Sequence, residues 1–258
     1  MNILFTVCGR AGSKGVKNKN LKNLLGKPLV YYTLSAIDLF IKANGGKDTI
    51  HVCASSDSRD LLNLITAQKA FPVFIVDRSE ELSGDTVGKI AVIRDALLRS
   101  NKFYGMDHDV VIDLDITSPI RRLEDVMNVY EKKINSPQFD IIFSVTGSRR
   151  SPYFNQVIEI PESGNYELVM NKGFTSRQQA PVVYDMNASI YAYDGKYLAG
   201  YGSDKLFDGR CSAVMMKDTA VLDIDSEEDF ELMEYLCEYF VGNDQLFARV
   251  AGNIESII

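Results

Sequence analysis

The 258-residue sequence has no tryptophan, two histidines and four cysteines, and no acidic residue precedes Asp38. Each scarcity removes a possibility. Only His51 and His108 could supply imidazole, and Cys8, Cys53, Cys211 and Cys237 are widely spaced with no CxxC pair, which argues against a zinc site. Two of the cysteines lie in apolar runs and read as small core residues of a reducing compartment. No segment approaches the roughly 18 apolar residues of a membrane span. The chain enters a strand pattern at once, without a basic region and apolar stretch ahead of it, so no signal peptide is expected. A cytoplasmic location follows as an expectation, and the sequon Asn187-Ala188-Ser189 is not expected to carry a glycan. There is no GxSxG elbow, and neither histidine has the context of a general base, which argues against covalent acyl chemistry. Internal repeats and low-complexity stretches are missing too.

What is present is an uneven distribution of charge. With 35 acidic and 28 basic residues the net charge is -7, which argues against general nucleic-acid binding. Yet residues 3–29, ILFTVCGRAGSKGVKNKNLKNLLGKPL, carry Arg10, Lys14, Lys17, Lys19, Lys22 and Lys27 with no acid among them. A small basic pocket in an acidic protein points to a compact anion such as a phosphate ester or carboxylate.

Short β-branched runs alternate with longer helical patterns. Ile3–Val7, Ile50–Ala54, Val73–Val76, Val110–Leu114 and Ile141–Val145 read as buried strands. Pro28–Ala43, Ser58–Lys69, Thr86–Arg99 and Leu123–Asn135 read as helices. Such alternation predicts an α/β fold: an open, mostly parallel twisted sheet of Rossmann type, 1–258 forming a single domain. The rhythm breaks at residues 148–186, which are polar and short-stranded (QVIEI, YELVM) and read as an excursion, an inserted arm suited to dimerisation. ASIYAYD then returns as a strand, CSAVMM follows, and VLDID leads into a last helix. Ser226 to Asp229 caps that helix, whose stripe is Phe230, Met233, Cys237 and Phe240.

Three features carry chemistry. Gly9, Gly12 and Gly15 follow a strand with GxxGxxG spacing, which is neither the dinucleotide GxGxxG nor GxxxxGK[ST]. Glycines at a strand end still let backbone N–H groups approach an anion, and Arg10 and the lysines add the charge a triphosphate requires. The alternative is a solvated basic loop. Asp223 and Asp225 stand two apart, so in an extended segment both carboxylates project together and call for a cation such as Mg²⁺ between them. Their alternative is helix N-terminal charge, a role that Glu227 and Glu228 already fill. Asp113 and Asp115 also share a face, at the end of a central strand, and Thr117-Ser118-Pro119 starts the next helix. Triphosphate, Mg²⁺ and a positioned hydroxyl suggest phosphoryl or nucleotidyl transfer, run on orientation and electrostatics.

Taken together these segments resemble the acylneuraminate cytidylyltransferases, the CMP-sialic acid synthetases and their relatives for other nine-carbon ulosonic acids. The family pattern R-x-x-S-K-G, K-N-L, G-x-P-L is met at Arg10, Ser13, Lys14, Gly15, Lys19, Asn20, Leu21, Gly26, Pro28 and Leu29. LSGDT, TSPIR, RQQAP and DIDSEED match further motifs in order, so the resemblance runs from residue 3 to about 236. It implies a homodimer completed by the arm. It also implies transfer of CMP from CTP to the anomeric hydroxyl of a 2-keto-3-deoxy sugar acid, a nonulosonic acid, with pyrophosphate released.

By the same resemblance Arg10, Gly12, Ser13, Lys14, Lys19, Asn20, Gly84 and Asp85 would bind the nucleotide, and Asp223 and Asp225 would hold Mg²⁺. Arg10 and Lys19 would join those two acids as the catalytic set. Asp115, Thr117, Ser118, Arg177, Gln178 and Asn187 would face the sugar or the dimer contact. Three positions depart from the sialic acid pattern: Asp115 replaces a glutamine, Gly84 a serine, and Asp185 an arginine. These changes favour a legionaminic- or pseudaminic-type sugar, of the kind that modifies surface polysaccharide or flagellin. They leave open whether Asp115 meets the metal or the sugar. The alternatives are an octulosonate cytidylyltransferase, whose usual Q-G-D-E-P is replaced by Asp115-Ile116-Thr117-Ser118-Pro119, and a non-catalytic nucleotide-sugar binding module. A nicotinamide dehydrogenase is disfavoured by the glycine spacing.

Overall fold

The computed structural model describes residues 1–12, 15–84, 86–200, 203, 205–217 and 222–258. In chain order its strands and helices are β1 (Asn2–Cys8), β2 (Asn23–Leu24), β3 (Lys27–Pro28), α1 (Val30–Asn44), β4 (Thr49–Ser56), α2 (Arg59–Ala67), β5 (Phe74–Asp77), α3 (Lys89–Tyr104), β6 (Val110–Leu114), α4 (Leu123–Asn135) and β7 (Ile141–Gly147). They continue with β8 (Val157–Ile160), β9 (Asn165–Leu168), β10 (Tyr184–Asp194), α5 (Gly195–Gly200), β11 (Cys211–Met215), α6 (Glu227–Asn243) and α7 (Gln245–Ile257).

The main sheet has seven strands in the order β11-β7-β10-β6-β1-β4-β5. Strand β10 runs antiparallel to both β6 and β7, and the other pairings are parallel. Central parallel strands are covered on both faces, which is why they appear in the sequence as continuous apolar runs. Ile3, Phe5 and Val7 of β1 face a core shared with α1, α2, α4, α6 and α7. Leu4 faces the opposite core, formed with α3 and α5. Residues between β7 and β10 leave the sheet and carry the β8–β9 hairpin.

Helix α6 is not the last one. Asp244 caps α7 by accepting from the N–H groups of Leu246 and Phe247 at 3.1 and 3.2 Å, and Phe247, Val250, Ile254 and Ile257 bury its apolar stripe. Helix α7 returns to α1, where the Ser35 hydroxyl donates to the Val250 carbonyl at 2.6 Å. Among the described residues no helix is long and apolar enough to cross a membrane.

With one twist of sheet, the segments following β1, β5 and β6 emerge at the same end, the carboxyl end of the parallel strands, where open α/β sheets place their ligands.

Candidate active site

The segment after β1 is tied down before it reaches solvent. Gly9 N–H donates to the Ser55 carbonyl at 3.2 Å and Ala11 N–H to Asp57 Oδ1 at 2.7 Å, joining the loop to the end of β4. Gly12 adopts φ 71°, the left-handed region that a glycine enters freely. Gly15 lies so close to the Asp225 backbone that a Cβ would stand 1.7 Å from its carbonyl oxygen, so no larger residue fits. Asn20 donates to the Arg10 carbonyl at 3.2 Å, which folds the loop back on itself. Lys19 opens a short 3-10 turn and donates to the Ile224 carbonyl, and its ammonium is 3.4 Å from Asp225 Oδ1. The basic opening and the distant acidic pair are therefore neighbours.

The acidic segment is positioned by a helix cap. Asp229 accepts from the N–H groups of Asp225 and Ser226 at 3.1 and 2.8 Å, and the Ser226 hydroxyl accepts from Asp229 N–H at 3.0 Å. This capping box starts α6 and holds Asp223 and Asp225 at the cleft edge. Lys22 pairs with Glu227 and lies 4.5 Å over the Phe230 ring, so it fastens α6 to the loop and does not line the cleft.

Two connected cavities open here. One, of about 310 Å³, is lined by Cys8, Arg10, Gly15, Lys19, Asn20, Asp115, Thr117 and Asp225. The other, of about 250 Å³, is lined by Cys8, Arg10, Arg78, Leu82, Gly84, Val87, Lys89, Val92 and Asp115. Cys8, Arg10 and Asp115 are common to both and form the wall between two lobes. The first lobe is cationic with an acidic rim, suited to phosphates and their counter-ion. The second sets Leu82, Val87 and Val92 beside Arg10, Lys89, Asp115 and the Arg78 guanidinium, which donates to the Ser55 carbonyl at 2.6 Å.

The wall has defined electrostatics. Burial, with Asp113 second, pushes the Cys8 thiol well above its ordinary range, so it is protonated and not a nucleophile. Lys89 pairs with Asp113 Oδ2 at 2.8 Å and with Asp115 Oδ2. Burial alone would lower the Lys89 ammonium, but the two carboxylates outweigh burial and hold it charged. Burial would raise Asp115, but Lys89 and the Thr117 bonds bring it down to about 2. Asp223 goes the other way: burial, and then the Asp115 charge, push its carboxyl up. Among the described residues no group of three or more His, Cys, Asp and Glu side chains gathers at metal-holding spacing. Two carboxylates completed by substrate oxygens are what Mg²⁺ uses, so Asp223 and Asp225 fit that ion.

The structure brings Arg10, Lys19, Asn20, Gly84, Asp115, Thr117 and Asp225 to one cleft, with Asp223 beside Asp115. Gly12 is on the same loop, exposed, and lines neither cavity. Ser13, Lys14 and Asp85 lie outside the described residues. Ser118 and Asn187 are buried behind the wall: Asn187 Oδ1 accepts from Ser144 at 2.6 Å, its Nδ2 meets Met216 Sδ at 3.3 Å, and its carbonyl accepts from Ser118 at 3.3 Å. They support the bulged start of β10, where Ala188 has φ 52°. Arg177 and Gln178 are exposed on the arm, and Arg177 lines a separate cavity of about 170 Å³ with Ser148, Arg150 and Ser151. Lys89 and Arg78 were not anticipated. A lysine in a helix's first turn is on the wrong side of the helix dipole, and that was the available signal for Lys89.

A family model described as cytidylyltransferase matches residues 4–242. The chain is 36% identical over 234 residues to the post-translational flagellin modification protein B of Campylobacter coli, covering 91% of this chain and 94% of that one. It is 37% identical over 236 residues to a CMP-N,N'-diacetyllegionaminic acid synthase of Campylobacter jejuni, with the same coverage. Among solved structures, a CMP:2-keto-3-deoxy-manno-octonic acid synthetase complexed with CTP superposes with a TM-score of 0.62 over 93% of this chain and 99% of the other. At 14% identity that likeness speaks to the fold alone.

Proposed function

The chain belongs to the cytidylyltransferase family, and we propose that it transfers CMP from CTP to the anomeric hydroxyl of a nine-carbon 2-keto-3-deoxy sugar acid of legionaminic type. The relative named as a CMP-N,N'-diacetyllegionaminic acid synthase supports that choice of sugar over sialic acid itself. The observation that carries the reaction class is the meeting of Arg10 and Lys19 with Asp225 in one lobe.

In this reading the lobe with Lys19 and Asp225 takes the triphosphate and the lobe with Leu82, Val87 and Val92 takes the nucleoside. Arg10, Lys19 and the glycine loop neutralise phosphate oxygens and hold the α-phosphorus in line with the sugar hydroxyl, and such positioning supplies most of the rate in this chemistry. The bond from the anomeric oxygen to the α-phosphorus forms as the bond to the bridging oxygen breaks, the hydroxyl proton is released, and pyrophosphate leaves. Asp223 and Asp225 would hold Mg²⁺, which when bound would offset phosphate charge and polarise the α-phosphorus.

The arm enters the proposal as a dimer contact. Val157, Tyr166, Val182 and Tyr184 are exposed on it, apolar side chains suited to a second copy of the chain. Arg177 and Gln178 would then serve the sugar carboxylate across the interface or the contact itself. Light scattering reads the oligomeric state directly.

The decisive test is pyrophosphate release with CTP and Mg²⁺ across a panel of nonulosonic acids. Release is expected with legionaminic-type acids above all. No release with any of them would end the enzyme reading.

A further inference from the structure

The charge of Lys19 is directed at the acidic segment. Its ammonium donates to the Ile224 carbonyl and lies 3.4 Å from Asp225 Oδ1, so both partners belong to a stretch 205 and 206 positions away. The Lys19 side chain is 13% exposed and that of Asp225 82%, so the lysine reaches the acid from its buried side. The two segments are clasped on either side of this contact. Gly15 packs against the Asp225 carbonyl, and Lys22 pairs with Glu227 and lies over the Phe230 ring.

The two contacts of the ammonium are not equivalent. The one to Asp225, at 3.4 Å, is longer than an ordinary N–H···O bond. The Ile224 carbonyl, by contrast, belongs to a backbone held in place by the cap of α6. An ammonium has three N–H groups, and Lys19 lines the same lobe as Arg10. Among the described lining residues of that lobe, Arg10 and Lys19 stand against Asp115 and Asp225, two cations against two carboxylates. A divalent cation entering alone at Asp225 would meet the Lys19 ammonium at close range, and a triphosphate entering alone would meet the Asp225 carboxylate. Entering together, each offsets the charge that opposes the other.

We propose that Lys19 exchanges partners: it offsets Asp225 in the nucleotide-free protein, and turns about its Ile224 bond to a phosphate oxygen when a nucleoside triphosphate enters, releasing Asp225 to a divalent cation. This rests on the cytidylyltransferase reading above. The exchange makes metal binding conditional on the nucleotide, and by linkage makes nucleotide binding depend on the metal. It needs a side-chain rotation only, because Gly15, Lys22 and the Ile224 bond keep the two segments together.

The test reads binding and needs no turnover. Mn²⁺ is titrated into the nucleotide-free protein and followed by the electron paramagnetic resonance of the free ion. Lys19→Gln keeps a donor for the Ile224 carbonyl but removes the charge, and should tighten Mn²⁺ binding about ten-fold, the Coulomb scale of an ammonium and a divalent ion a few ångströms apart. Lys19→Arg, which keeps the charge, should leave Mn²⁺ binding as weak as in the unaltered protein. CTP binding is then titrated by calorimetry in EDTA. Asp225→Asn should tighten it about ten-fold where Lys19 is present, and by less than about three-fold in the Lys19→Gln background. The two residues couple in this cycle only if their contact changes when CTP binds. Unchanged or weaker Mn²⁺ binding by Lys19→Gln, or equal gains from Asp225→Asn with and without Lys19, would overturn the proposal. Should Lys19→Gln not fold, Asp225→Asn alone, on an exposed side chain, decides it: no gain in metal-free CTP binding overturns the exchange. Failure of the unaltered protein to bind CTP with MgCl₂ would instead overturn the functional reading on which it stands.

Discussion

Two buried polar clusters, one at each end of the central sheet, are built in different ways. At the carboxyl end, the Lys89 ammonium is paired with Asp113 and Asp115 within the wall of a cleft. At the amino end, His51 and His108 meet with Nδ1 and Nε2 2.9 Å apart, and His108 Nδ1 is 2.7 Å from Asn101 Oδ1. The Asn101 oxygen can only accept, so His108 Nδ1 carries its proton and its Nε2 accepts from His51. Tyr104 stacks on His51 with ring centroids 3.6 Å apart. Both rings are neutral and satisfied, and nothing there is prepared for a charged ligand. An ionic network is the more demanding construction, because each member must be paired or the protein is destabilised. At the carboxyl end the network lines a cleft, whereas at the amino end the ion pairs, Lys133 with Asp194 at 3.8 Å and the Met1 ammonium with Asp48 at 2.7 Å, tie elements of the fold together.

The comparison can be broken most severely at the cleft rim. Asp225 is 82% exposed and bears no part of the core. Asp225→Asn should lower turnover by about 10³-fold or more, the scale of losing a group that stabilises the transition-state charge, while leaving the denaturation midpoint unchanged. An unchanged rate at limiting Mg²⁺ would contradict the metal assignment. Next comes Arg121, 1% exposed, which donates to the Asp115 carbonyl at 2.7 Å, the Ser189 carbonyl at 2.9 Å and the Ser189 hydroxyl at 3.1 Å. Arg121→Met strands these acceptors and should destabilise the fold by about 3–4 kcal/mol in urea titrations. A loss below about 1 kcal/mol would mean that water replaces the guanidinium. Lys19→Ala should weaken CTP binding by about 1.5–3 kcal/mol, the worth of charge-assisted hydrogen bonds, as read by calorimetry.

The smallest effect belongs to the opposite end. Burial first, and then His51, lower the His108 imidazole to about 4. Its unfolded counterpart takes a proton near 6.5, so the unfolded chain binds more protons between these values. The stability that this pair contributes is present above pH 6.5 and is lost progressively as pH falls toward 4. Asp115, lowered to about 2, keeps its contribution until the pH drops below the unfolded value of 3.8. Between pH 6 and 4 the loss should therefore come from the histidine end, and His108→Asn should flatten it. A slope unchanged in that variant would place the loss elsewhere.

Much of this was legible in the sequence, and the reasons differ by element. Val110–Leu114 and Leu123–Asn135 were bounded correctly because a doubly covered strand and a one-sided helix have distinct apolar periods. The returning strand was recognised, but its antiparallel direction was not visible, since direction leaves no mark on apolar pattern. Helix α7 was missed although Asp244 and the spacing of Phe247, Val250 and Ile254 signalled it; it adjoins α6 with no glycine or proline between them. In the cleft, Arg10, Lys19 and the Asp223/Asp225 pair were readable from charge and spacing, and the resemblance added Asn20. The Lys19–Asp225 contact spans 206 positions, and the Lys89–Asp115 pair 26, so their meeting is a property of the sheet and not of any window. Asn187 matched a motif yet turns into the core, because the β10 bulge decides which way its side chain points.

The account is tested most directly by ³¹P NMR of the protein incubated with CTP, MgCl₂ and a legionaminic-type sugar acid. The expected spectrum loses the three CTP resonances and gains pyrophosphate and one phosphodiester signal in equal amounts. Inorganic phosphate appearing alone, or CTP left intact beside every nonulosonic acid offered, would contradict it.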